Sequence, residues 1–164
     1  SFSAAALMED GEDHWICRAH HVLDHVADLL DDGHAREVIT LCEQGLWCLL
    51  TAAPDIADGD AVMALIDRLR ALHRQACDLD PPDPVHLAEF VYGVARSEEM
   101  GVLHGVIDPY VALLGPVGLA EIRRRLAAEE RRMRRLSDIA RRIHEFRLRP
   151  IYESLSRADH PSAG

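Results

Sequence analysis

The sequence predicts an all-α protein built from stacked antiparallel helix hairpins. Along most of its 164 residues, apolar side chains recur at the three-to-four-residue spacing of an amphipathic helix. No run of alternating Val, Ile or Thr residues is bounded by turn residues, as a strand would be. Proline and glycine punctuate the helical segments, so we expect short connections between neighbouring helices.

The first hairpin is predicted to consist of helices over 13–32 and 34–53, with Gly33 ending the first helix. Apolar positions line one face of the first helix: Trp15, Ala19, Val22, Leu23, Val26, Leu29 and Leu30. The second helix has a similar face: Ala35, Val38, Ile39, Cys42, Leu46, Leu49 and Leu50. Three further apolar side chains of the second helix lie outside that face: Leu41, Trp47 and Cys48. Since this helix is apolar on two sides, we expect neighbours to sandwich it.

The second hairpin begins with a helix from Gly59 to Leu79. Pro81 and Pro82 then exclude a continuous helix, because proline lacks an N–H and clashes with the preceding turn. Asp83 followed by Pro84 predicts a capped helix start, since Pro is tolerated at the first helical position. A third helix is predicted over 102–114.

The C-terminal part is predicted to contain one long helix. Gly115–Pro116 ends the preceding helix, and Gly118 opens the next. Apolar residues near a/d spacing follow: Leu119, Ile122, Leu126, Met133, Leu136, Ala140 and Ile143. Glu129 is the misfit in this pattern. Arg149–Pro150 is expected to interrupt the helix, with a short helix over 151–156 after it.

The hairpins predict an α-solenoid. Helix pairs begin near residues 13, 59 and 102, a period in the forties that is longer than the 34-residue tetratricopeptide repeat. The expected domain organisation is a flexible leader over 1–12, a helical-repeat domain over 13–157 and a disordered tail over 158–164. The chain starts with Ser1 rather than Met, so we expect it to be a piece of a longer protein.

Charge is distributed unevenly along the chain, which carries a formal net charge of −10. Residues 1–110 hold 21 acidic and 6 basic residues, whereas residues 111–164 hold 7 acidic and 12 basic residues. This polarity predicts either pairing between the two parts or a basic contact surface near the C-terminus. Self-association as a homodimer is also expected, because a solenoid without a capping repeat exposes its end face.

The four cysteines, Cys17, Cys42, Cys48 and Cys77, form no CxxC pair. Without a signal peptide, they predict reduced thiols in a cytoplasmic protein. No apolar run approaches the ~18 residues of a membrane span, so no membrane role is expected.

Several segments resemble an uncharacterised bacterial family of tetratricopeptide-like helical-repeat proteins. They are Leu72–Cys77, Pro82–Val85, Leu87–Glu89, Gly118–Ala120, Phe146–Leu148 and Ile151–Leu155. The resemblance spans residues 20–156 and implies a tetratricopeptide-like superhelix that continues past Ala158. Members often lie behind a SWIM-type zinc finger, but the finger's Cys/His pattern is absent here. Neither zinc nor nucleic-acid binding therefore carries over to any residue.

Candidate catalytic and metal-binding groups are few. His21 and His25 have the i,i+4 spacing of two metal ligands, but no third ligand accompanies them and solvated histidines are the favoured interpretation. His73 lies on an apolar helix face and is expected to be a core histidine bonded to a carbonyl rather than a base. Glu98 and Glu99 point about 100° apart on a helix, so they cannot act as a catalytic pair. We predict no catalytic, cofactor-binding or metal-binding residue, and no cofactor.

The arginine-rich helix over 121–142 is the one feature that suggests nucleic acid. Its arginines could contact phosphates, but acidic residues are interspersed and no aromatic side chains interleave for base stacking. The sequence contains no GxGxxG, P-loop, GxSxG or EF-hand motif. We therefore predict a non-enzymatic scaffold for an unidentified protein partner, with an accessory role beside nucleic acid as the alternative.

Overall fold

The computed structural model describes residues 12–52, 59–97 and 106–161. They form six α-helices: α1 (Glu12–Asp31), α2 (Ala35–Ala52), α3 (Gly59–Leu79), α4 (Pro84–Arg96), α5 (Val111–Met133) and α6 (Asp138–Asp159). A short 3₁₀ turn, Asp108–Tyr110, precedes α5. These ranges contain no strand, so the all-α prediction is confirmed.

The chain divides into two compact units, Ser1–Pro81 and Pro82–Gly164. The division falls within the predicted proline-rich connection. Stacking of hairpins into a superhelix stays a prediction. Of the predicted leader over 1–12, only Glu12 is described, and the predicted tail over 158–164 begins inside α6, which reaches Asp159.

In the first unit, α3 packs against both α2 and α1. Its buried residues recur at helical spacing and form one face: Val62, Leu65, Ile66, Leu69, Leu72, His73, Ala76 and Cys77. Gly33 ends α1 in the left-handed conformation with φ 89°. Its N–H donates to the Leu30 carbonyl at 3.1 Å and that of His34 donates to Leu29 at 3.0 Å, which satisfies two terminal carbonyls. The second apolar side of α2 is only partly covered, since Trp47 is 50% exposed.

In the second unit, α4 packs against α5 and α6, and α5 also contacts the 3₁₀ turn. Asp83 caps α4 as predicted. Its Oδ1 accepts hydrogen bonds from the N–H groups of Val85 at 2.7 Å and His86 at 3.3 Å, and Pro84 takes the first helical position.

The predicted helix over 102–114 is confirmed over residues 111–114 and is wrong over residues 106–110. Residues 98–105 lie outside the described residues, residues 106 and 107 form bends, and α5 begins only at Val111. The expected helix end at Gly115–Pro116 is confirmed locally, because the backbone of Gly115 is non-helical and forms a kink between two helical segments of α5. Gly115 adopts φ 58°, a left-handed conformation that glycine reaches without steric cost, and helical geometry resumes after it.

The predicted long helix is also wrong, because α5 ends at Met133 and α6 starts at Asp138. Ser137 caps the new helix, with its Oγ accepting the Ala140 N–H at 3.3 Å. In turn, Pro150 lies inside α6 rather than interrupting it. Packing of buried Leu148, Ile151 and Leu155 holds the helix continuous on both sides of Pro150. Tertiary packing therefore overrides the local cost of proline.

Candidate protein-interaction surface

The first half of α6 presents large apolar side chains to solvent. Ile139, Ile143 and Phe146 are 75%, 54% and 70% exposed, and they recur at i, i+4 and i+7 on one helix face. Leu136, 39% exposed, lies just before the cap of the same helix. We call these four side chains the α6 stripe. Single exposed apolar residues are common on proteins, whereas several on one helix face are unusual.

The α6 stripe is exposed because it lies on a different face of α6 from the residues that pack against the second unit. All the buried residues of α6 lie in its second half, at Leu148, Ile151, Ser154 and Leu155. At 3.6 residues per turn, the stripe points roughly 150° away from the face of Leu148, Ile151 and Leu155. Tyr152 also fixes this half, since its hydroxyl donates a hydrogen bond to Glu130 of α5. Arg157 pairs with Asp108 at 2.9 Å. The second half of α6 therefore holds the helix against the second unit, whereas the first half contains no buried residue.

Arginines surround the α6 stripe. The Arg149 guanidinium carbon lies 5.7 Å from the centre of the Phe146 ring, which is within cation–π range. Four arginines near the stripe make no ion pair with any other described residue: Arg131, Arg134, Arg135 and Arg142. Their positive charge is therefore not neutralised by this part of the chain.

The other arginines of α5 differ from Arg131, because each of them pairs with a carboxylate. Arg124 and Arg125 both pair with Glu121, at 2.6 and 3.0 Å. The hydrogen bond from Arg124 holds the pKa of Glu121 down, to about 2, because it stabilises the charged carboxylate. Arg123 pairs with Asp159. The region 121–142 is thus two helices joined by a turn, and its arginines without an ion pair to a described residue lie between the last turn of α5 and the first turns of α6.

Glu129, the misfit of the predicted apolar row, is a buried carboxylate with only 3% exposure. Arg96 Nη2 donates to its Oε1 at 3.0 Å, and Arg132 hydrogen-bonds its other oxygen. Burial alone would raise the pKa of Glu129, but the hydrogen bonds and charges of these two arginines outweigh it and hold the pKa below its usual value. Arg132 at i+3 was the sequence signal for this arrangement.

A polar cluster is buried in the first unit. His73 is fully buried, and its Nε2 lies 3.3 Å from Glu43 Oε1 and 3.8 Å from Cys77 Sγ. His73 is thus a core histidine as predicted, and it contacts a carboxylate, whereas its bond to a carbonyl stays a prediction. Burial raises the pKa values of Cys77 and Cys42 to about 12, so both thiols are protonated at neutral pH. Cysteine, histidine and a carboxylate also occur together in the active sites of cysteine enzymes. A protonated, buried thiol such as that of Cys77 is a poor nucleophile, however.

The remaining candidates lie on surfaces or outside the described residues. The rings of His21 and His25 meet edge to face with centroids 4.9 Å apart, and both side chains are exposed. Nearby Asp24 pairs with Arg68. In residues 12–52, 59–97 and 106–161, no three His, Cys, Asp or Glu side chains are placed to hold a metal ion. Glu98 and Glu99 fall outside these ranges.

Comparisons with family models, curated proteins and solved structures find no match to this chain. Among the described helices, none combines the length and apolar character needed to traverse a bilayer.

Proposed function

We propose that this protein is a non-catalytic helical scaffold that binds another protein through the α6 stripe. The observation that carries the proposal is the exposure of Ile139, Ile143 and Phe146 in one row. Exposing large apolar side chains to water is unfavourable, at about 25 cal/mol per Å² of apolar surface. A partner that covers the row would recover that free energy.

Three features support the scaffold class. The stripe lies on a helix whose other half is anchored in the second unit, so the surface is displayed on a defined element. The protonated thiols of Cys42 and Cys77 support the absence of cysteine catalysis. A tetratricopeptide-like superhelix in the cytoplasm belongs to the same proposal, because stacked hairpins leave extended surfaces for partners.

The test is capture of a partner by the purified, tagged chain at physiological salt from a lysate of the organism that encodes it. Ile139→Ser with Phe146→Ser removes two apolar side chains of the stripe. Leu79→Ser with Val117→Ser is the matched control, because those residues are 67% and 59% exposed but lie elsewhere. We expect one stoichiometric protein with the parent and the control, and none with the stripe variant. Equal capture by the stripe variant, or no stoichiometric protein with the parent, would reject the proposal.

An accessory role beside nucleic acid is the second candidate function. The unpaired arginines Arg131, Arg134, Arg135 and Arg142 favour it, because such side chains can neutralise phosphates. The pairing of α5 arginines with carboxylates reduces the basic surface relative to the predicted helix over 121–142. Fluorescence polarisation with single- and double-stranded oligonucleotides should then show binding that weakens steeply with salt and is lost in Arg134→Ala with Arg135→Ala. Absence of binding at low salt would remove this candidate.

A further inference from the structure

The α6 stripe has the spacing of a coiled-coil seam. Ile139, Ile143 and Phe146 are four and three residues apart on α6, which is the d–a–d spacing of a heptad, and Leu136 precedes them in the turn before the helix. The row is narrow, because arginine occupies positions 142 and 147 on its two sides. Helices that lie on membranes need a broader apolar face, whereas an a/d row is the width that one partner helix covers.

The edges of this seam are basic. When Ile143 and Phe146 are placed at positions a and d, Arg142 and Arg149 fall at g and Arg147 falls at e. Side chains at e and g flank the seam and face the e and g positions of the partner, so their charges select the partner. The seam therefore favours a helix that carries carboxylates at those positions.

A second copy of this chain is a poor occupant of the seam. Antiparallel pairing of two α6 helices would place g residues opposite g residues, and parallel pairing would place g opposite e. Either arrangement sets arginine against arginine, and like charges at these positions are destabilising. Each other described helix exposes one large apolar residue rather than a row: Val22, Trp47, Leu79, Val85 and Val117. In the described ranges, a second copy thus offers no complementary acidic seam.

We propose that the α6 stripe forms a short two-stranded coiled coil with an acidic helix of a different protein. That helix carries apolar residues at a and d and Glu or Asp at e and g. This inference rests on the proposed function and adds the chemistry of the partner. Apolar contacts along the stripe stabilise the complex, and Arg142 and Arg149 favour partner helices with acidic residues at e and g.

The test uses three fluorescein-labelled synthetic helices with identical length. The first has Leu at a and d with Glu at e and g, the second replaces Glu with Lys, and the third keeps Glu but has Ser at a and d. By fluorescence anisotropy, the parent chain should bind the first helix roughly tenfold or more tightly than either of the others. Ile143→Asp should abolish binding, whereas Leu79→Ser and Arg36→Glu, both at exposed sites in the first unit, should leave it unchanged.

Charge reversal supplies a readout that misfolding cannot mimic. Arg142→Glu with Arg149→Glu should invert the preference, so that the Lys helix binds more tightly than the Glu helix. Equal binding of the Glu and Lys helices, lost in Ile143→Asp, would overturn the acidic partner but leave the stripe as a protein-binding surface. Binding to phosphatidylserine vesicles with no binding to any helix would overturn both proposals. A parent dimer in sedimentation equilibrium that Ile143→Asp dissociates would assign the stripe to a second copy and overturn the inference.

Discussion

The two halves of α6 have similar apolar residues but opposite surroundings. Ile139, Ile143 and Phe146 in the first half face solvent, whereas Ile151 and Leu155 in the second half are buried. Amino-acid type therefore does not decide whether an apolar side chain stabilises the fold. Position around the helix decides it, together with the neighbouring helices α4 and α5, which cover only the second half. Apolar residues left outside that contact are available for binding.

The largest expected effect comes from truncating the same residue type in each half. Ile151 is 1% exposed, so Ile151→Ala should lower the free energy of unfolding by about 2–5 kcal/mol, through lost burial and a residual cavity. Ile143→Ala should change it by no more than ~0.5 kcal/mol, the usual range at surfaces. Urea denaturation followed by circular dichroism measures both. Equal losses would show that both halves are packed in solution.

Pro150 lies where the exposed half joins the buried half. An interior proline costs a helix ~3 kcal/mol, because it removes a hydrogen bond and clashes with the preceding turn. It also restricts the unfolded chain, which offsets up to ~1 kcal/mol of that cost. Pro150→Ala should therefore raise the free energy of unfolding by about 2 kcal/mol. A loss of stability in the same urea experiment would mean that the proline conformation is required for the two halves to differ.

A third comparison uses glutamates. Glu129 is buried against Arg96 and Arg132, so Glu129→Ala should cost about 1–2 kcal/mol, as expected when hydrogen bonds to a charged group are lost. Glu145 is exposed on the first half of α6, and Glu145→Ala should cost no more than ~0.5 kcal/mol. Similar costs for the two variants would indicate that Glu129 is solvated.

The same carboxylate predicts a pH dependence. Because the pKa of Glu129 is lowered in the folded protein, its contribution is complete above the unfolded value of about 4.3 and is lost as pH falls through the folded value. The stability difference between the parent and Glu129→Gln should therefore be complete at about pH 6 and shrink as pH falls below about 4.3. A difference that stays constant over this range would contradict the lowered pKa.

The smallest expected effect concerns the exposed histidines of α1. His21 and His25 are too few to hold zinc alone, so His21→Ala with His25→Ala should leave the melting temperature unchanged by zinc or by a chelator. A zinc-dependent increase in the parent that disappears in the double variant would establish a site on this surface.

The sequence predicts the first unit well, because each of its helix ends has a local signal. Gly59–Leu79 has the predicted bounds, and Gly33 ends α1 as predicted. These positions depend on backbone conformation and on side chains within a few residues. Glycine and capping residues in the sequence therefore indicate helix ends directly.

The helix bounds of the second unit are harder to predict from the sequence, because the apolar spacing continues through the turn between α5 and α6. Met133 is buried at the end of α5, but Leu136 follows it in a turn and is exposed. The predicted row thus combined core residues with part of the α6 stripe. Ser137, the cap that separates them, was the missed signal. The ion pair between Glu129 and Arg96 joins residues 33 apart in the chain, so no local pattern could specify it.

The chain from Arg134 to Arg147 has no buried residue and lies between two buried anchors, Met133 and Leu148. Its amide hydrogen bonds can therefore open locally without unfolding of the second unit. Hydrogen exchange should be faster over 138–147 than over 148–155. A helix that pairs with the α6 stripe would slow exchange in the first half alone, so the bound state would extend the cooperatively folded part of the protein.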